Sequence, residues 1–168
     1  MICHPRSHKL TLQPMSIMPF TLRRATVADV DEVAAVFSAS FRVLTFLPML
    51  RTVAEDRSLI ANVIFKICEV AAAEDASGIV SFPARCGEEV RLFYTRPDRI
   101  GEGAGTKPIE AVQSSGVDAL DLWCFQANAR ARRFYEARGV CAIRCTGGAD
   151  NEVKTPDIRY RWERAVAG

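Results

Sequence analysis

Histidine is absent from this chain after His8. With only His4 and His8 among 168 residues, the body of the protein has no imidazole for a Ser-His-Asp or Cys-His hydrolase and none for a His-Glu-type zinc protease. A Cys-x-x-Cys pair is also missing. The six cysteines, Cys3, Cys68, Cys86, Cys124, Cys141 and Cys145, are scattered, several of them in apolar runs. They read as reduced core thiols of a cytoplasmic protein, and no metal is expected. Nor is charge of one sign in excess: 22 basic against 20 acidic residues leave +2, which argues for no polyanion surface and no nucleic-acid partner. No apolar run is long enough for a membrane span.

What is present describes an ordinary globular domain, with 49% hydrophobic and 25% charged residues. A chain of this length buries about 70% of the surface its unfolded form exposes, so one core forms without metal or disulfide staples. Residues 1–19 carry Pro5, Pro14 and Pro19, no acidic residue and no periodicity. They read as a disordered N-terminal extension, with a transit peptide as the other option. Residues 20–168 form a single domain.

The domain alternates strands and helices. Residues 20–25 make a first strand. Thr26 with Asp29, and later Thr52 with Glu55, are capping-box spacings that open two helices, the second with Leu59, Ile60, Val63 and Ile64 on its apolar face. Three strands follow, at 68–73, 78–84 and 89–95, in an antiparallel meander. A glycine-rich turn, Gly101-Glu102-Gly103-Ala104-Gly105-Thr106, then leads into a helix and a strand at 119–125. Such a turn frees backbone N–H groups at a helix start and suits a phosphate or pyrophosphate. A Walker-type loop does not fit, because Thr106 separates Gly105 from Lys107 and Pro108 follows. A dinucleotide fingerprint fails as well, since Thr106 stands where its third glycine should be.

Phe93-Tyr94-Thr95-Arg96-Pro97 followed by Gly103-Ala104-Gly105-Thr106 resembles the strand end and acetyl-CoA loop of the GNAT superfamily of N-acetyltransferases. Downstream, Asn128, Ala131, Phe134, Tyr135 and Gly139 match that family's second signature. The resemblance implies a three-layer αβα fold, with a mixed, mostly antiparallel sheet of about six to seven strands and about four helices. It also implies acetyl transfer from acetyl-CoA, as co-substrate, directly to an amine. The loop motif carries over onto Ile100, Gly101, Gly103, Ala104, Gly105 and Thr106. Backbone groups of Phe93 and Thr95 would hold the pantetheine arm together with Asn128. Tyr135 would give a proton to the departing thiolate, and Glu89, on the same strand as Phe93, is the carboxylate candidate for accepting one from the amine.

In this sequence Ile100 replaces the family's Arg or Gln, and the acidic Glu102 lies beside it. Arg96, Arg99 and Lys107 are the candidate substitutes. The same departure leaves a second reading open, a catalytically degenerate GNAT domain acting as an acyl-CoA-binding or regulatory module. The acceptor, a small molecule or a protein amine, would meet the loop that holds Phe41, Phe46 and Leu47 and the polar loop of Asp150, Asn151 and Glu152. Trp123 and Phe125 are expected to fill buried faces of the sheet. Dimers are common in the family, and a homodimer is an open expectation.

Overall fold

The computed structural model describes residues 20–166, so the extension assigned to residues 1–19 lies outside the described residues. Strand β1 (Thr21–Arg24) runs into the Thr26 cap, where the Asp29 carboxylate accepts the Thr26 amide at 2.7 Å. A 3-10 turn, Val27–Asp29, then feeds helix α1 (Val30–Arg42). Thr52 opens α2 (Val53–Leu59): its hydroxyl accepts the Glu55 amide while the Glu55 carboxylate accepts the Thr52 amide. Two donors that a helix start would leave unpaired are thereby satisfied. A π-helical turn, Ile60–Ile64, and a last turn, Phe65–Ile67, continue α2.

The meander follows as β2 (Glu69–Asp75), β3 (Gly78–Cys86) and β4 (Glu89–Thr95). After the glycine turn come α3 (Thr106–Gln113), β5 (Ala119–Phe125), α4 (Ala129–Glu136), β6 (Cys141–Thr146) and β7 (Asp157–Glu163). The seven strands form one sheet in the order β1-β2-β3-β4-β5-β7-β6. Only β4 and β5 run parallel; the other pairs are antiparallel.

Helices cover both faces. On one, Val33 and Phe37 of α1 and Ile60 and Ile64 pack on Phe82 and Ala84 of β3. Phe37 is fully buried, which contributes about 1.5–3 kcal/mol relative to exposure. On the other, Val112 of α3 and Tyr135 of α4 pack on Leu120, Leu122, Cys124, Ile158 and Tyr160. The αβα layering therefore follows from strands with apolar residues on both faces. Among the cysteines described, Cys124 alone is buried, while Cys141 and Cys145 are exposed on the edge strand β6. Among the described residues no helix is long and apolar enough to cross a membrane.

Candidate active site

The parallel pair at the sheet centre is short. β4 and β5 match only at Glu89 with Asp121 and Val90 with Leu122, after which the strands part and leave a wedge open toward Thr95 and Phe125. Two features drive them apart. Opposite β3, Ala84 pairs with Leu92 and Arg85 with Val90, so β4 carries one extra residue, Arg91, and bends there. Aromatic rings then fill the base of the wedge: the Phe93 ring stands 5.8 Å from Phe134 and 6.3 Å from Tyr135, centroid to centroid.

The departure of β5 leaves one edge of β4 unpaired. The Arg96 amide donates to the Val80 carbonyl, and strand groups alternate sides, so Tyr94 and Arg96 face β3 while Phe93 and Thr95 turn their N–H and C=O toward the wedge. Ser40 of α1 donates to the Thr95 carbonyl at 2.8 Å and fixes the strand end. A sequence-predicted pair is thus placed with its backbone toward open space. An extended amide chain such as pantetheine can add there as a strand would.

At the mouth of the wedge, Gly101 and Gly103 adopt φ of +89° and +82°. A Cβ at either would meet nothing within 4 Å, so backbone conformation is what calls for glycine there. Gly105 is different, because a Cβ would lie 3.2 Å from the Phe134 ring. Ala104 is buried and Thr106 opens α3; the Thr106 amide donates to the Gly103 carbonyl at 3.1 Å and the Ile109 amide to the Gly105 carbonyl at 3.2 Å. Proline at position 108 falls in the first helical turn, where it forfeits no helix hydrogen bond.

None of the three candidate substitute cations serves this turn. Buried Arg99 pairs with Asp75 at 2.6 Å and with Glu102 at 2.5 Å. Arg96 pairs with Asp98 at 2.7 Å, and Lys107 donates to the Phe20 carbonyl at 2.9 Å. The Arg99 contact also holds Glu102, although the same guanidinium is shared with Asp75, so one negative charge of the three is left over. Sequence reasoning missed Arg138. Its guanidinium lies 3.7 Å over the Phe134 ring and donates to the Thr106 hydroxyl at 2.9 Å. No carboxylate pairs with it among the described residues, so a cation stands at the start of α3 after all.

Tyr135 projects from α4 into the wedge base, against Phe93 and Tyr160. Burial, with smaller contributions from nearby Cys124 and Tyr94, pushes its phenol well above the usual range, and it makes no hydrogen bond among the described residues. It therefore stays protonated at neutral pH. Asn128 caps α4, its Oδ1 accepting the Ala131 amide at 3.2 Å, and its Nδ2 makes no hydrogen bond among the described residues. Glu89 is not brought to this group. It sits at the closed end of the wedge beside Arg91, 3.2 Å away, and four residues of strand, about 13 Å, separate it from Phe93.

Across the sheet, on the α1 face, the end of β5 borders a cavity of about 420 Å³ lined by Trp123, Phe125, Arg144, Thr146, Asp150, Asn151 and Asp157 among others. Trp123 is 45% exposed there and does not fill a buried face as expected. Phe46, from the segment after α1, packs edge-on against Phe125 with centroids 6.0 Å apart. Arg51 ties that segment to Glu152 and also holds Asp56 at 3.2 Å. Phe125, at the end of β5, thus borders both this cavity and the wedge.

No family model matches the sequence, and no curated protein matches it. Solved structures do. The chain is similar to apo YjaB from Escherichia coli, with 20% identity over 88% of this chain and 100% of that one, TM-score 0.71. It is similar to a GCN5-related N-acetyltransferase from Rhodopseudomonas palustris, with 19% identity over 90% and 100%, TM-score 0.67. The PaiA N-acetyltransferase from Thermoplasma acidophilum, in complex with coenzyme A, shares 13% over 88% and 100%, TM-score 0.66. The fold is that of the GNAT acetyltransferases.

Proposed function

We infer that this chain, built on the GNAT acetyltransferase fold, binds acetyl-CoA in the β4–β5 wedge and transfers its acetyl group directly to an amine. One observation carries the reading: the parting of β4 and β5 above Val90 and Leu122, with the glycine turn at one end and Tyr135 at the base. The coenzyme A held by the Thermoplasma protein supports it. Open space over Gly101 and Gly103, and Arg138, which has no carboxylate partner among the described residues, fit a diphosphate at the turn. Phe93 and Thr95 would pair with the pantetheine amides, and a β4 N–H would polarise the thioester carbonyl. The amine nitrogen then attacks that carbonyl, the C–N bond forms and the C–S bond breaks. The acceptor sheds two protons to solvent, one from its ammonium before attack and one from the nitrogen after it, while Tyr135 gives its proton to the leaving thiolate and regains one from solvent.

Calorimetric titration with acetyl-CoA, CoA and dephosphorylated CoA tests the reading, together with an assay for free thiol in the presence of amines. Micromolar binding and amine-dependent thiol release are expected; no binding at millimolar ligand overturns it. The non-catalytic module has its own support in Ile100 and in the engagement of Arg96, Arg99 and Lys107 elsewhere. Tight binding without thiol release from any amine would decide for it.

A further inference from the structure

The cavity on the α1 face holds an unusual residue of charge. Three arginines rise from neighbouring strands there, Arg144 of β6 and Arg159 and Arg161 of β7, with Arg144 paired in register to Arg159. Two of them have carboxylate partners: Asp121 holds Arg159 at 2.7 Å and Arg161 at 3.0 Å, and Glu163 holds Arg161 at 2.9 Å. Arg144 has no carboxylate or hydrogen-bond partner among the described residues, and it lines the cavity. The acids divide in the same way. Asp157 accepts from the Thr146 hydroxyl and from Asn151 Nδ2 at 2.9 Å, and Glu152 is held by Arg51. Asp150 alone lines the cavity without a partner among the described residues. The cavity therefore offers one cation, one anion and two aromatic faces, Trp123 and Phe125.

We propose that the acceptor is a free amino acid with an apolar side chain. Arg144 takes its carboxylate, Asp150 its ammonium, and Trp123 and Phe125 its side chain. A guanidinium matches a carboxylate in charge and in the spacing of its donors. A simple amine would leave Arg144 unmatched; a polypeptide amine has no carboxylate beside it. The cavity volume suits a small molecule. This assignment rests on the acetyl-transfer reading above, because Phe125 borders both the cavity and the wedge.

Two measurements test it. The first is equilibrium binding, by tryptophan fluorescence, of phenylalanine, tryptophan, leucine and methionine, each beside its decarboxylated amine and its amide, with no acetyl-CoA present. At least one free acid should bind tenfold or more tighter than its amine and amide, and Arg144→Gln should abolish that preference while Asp150→Asn weakens the acid. Equal or tighter binding of the amines, or no binding of any acid, overturns the proposal. The second is amine-dependent thiol release from acetyl-CoA with the same compounds, where the kcat/KM ranking should follow the binding ranking. Binding of the acids without acetyl-CoA turnover would remove the acetyl-transfer reading and leave an amino-acid site. Turnover of amines in preference to acids would keep that reading and remove this one.

Discussion

Tyr135 shows how a side chain can serve the core and the reaction together. Its ring packs against Phe93, Phe134 and Tyr160, and the burial that stabilises the ring also keeps the phenol protonated. Removing the hydroxyl alone separates the two roles. Tyr135→Phe should lower kcat about 100-fold with little change in acetyl-CoA affinity, read by thiol release and calorimetry; unchanged turnover would show that the ring serves only packing. Arg138 makes the complementary case. Arg138→Gln should weaken CoA about tenfold and flatten the salt dependence of binding. Gly103, Asn128 and Tyr135 were legible in the sequence because each belongs to a local spacing. Arg138 was not, since its guanidinium gains meaning only where the end of α4 meets Thr106. The distance of Glu89 from that group was not legible either, as position along a strand does not reveal which end of a parallel pair opens.

Among the elements, α1 and α2 depend on a buried charge that no periodicity announces. Asp56 is 2% exposed and receives Arg42 at 2.6 Å, Ser38 at 2.7 Å and Arg51 at 3.2 Å. Burial pushes its carboxyl up, but the hydrogen bonds from Arg42, Ser38 and Arg51 outweigh it and hold the group below its usual range. Asp29 behaves alike, held down to about 2 by Arg23 and by the Thr26 amide. A depressed carboxyl stabilises the folded state above the unfolded value, near about 3.9, and that stability is lost as pH falls. Tm should therefore hold steady from pH 7 to 5 and drop below pH 4. Asp56→Asn should cost about 3 kcal/mol at pH 7, because two arginines lose their buried anion, and should make the acid loss shallower. Calorimetric melting across pH checks both. The caps at Thr26 and Thr52 were readable three residues ahead. The π-helical turn at Ile60–Ile64 was not, because Leu59, Ile60, Val63 and Ile64 give the same apolar face to an unbroken α-helix.

At the scale of the molecule, the order of events follows from the two faces of the sheet. The glycine turn and Arg138 lie on the face of α3 and α4, the cavity proposed for the acceptor lies on the face of α1, and the β4–β5 wedge lies between them. The strands on either side, 89–95 and 119–125, could be read from the sequence to the residue. Their parting could not, because it arises from the Arg91 bulge and from aromatic rings contributed by α4. A cofactor and an acceptor arriving from opposite faces can be bound together, which a direct transfer requires. A covalent relay would need a nucleophile at the wedge, and the thiol there, Cys124, is buried and pushed up to about 12 by that burial. It stays protonated and unreactive at neutral pH. Initial velocities with acetyl-CoA and acceptor varied together should then give intersecting double-reciprocal lines. Incubation with acetyl-CoA alone should leave the protein mass unchanged. Parallel lines accompanied by an acetylated protein would replace direct transfer with a relay through the chain.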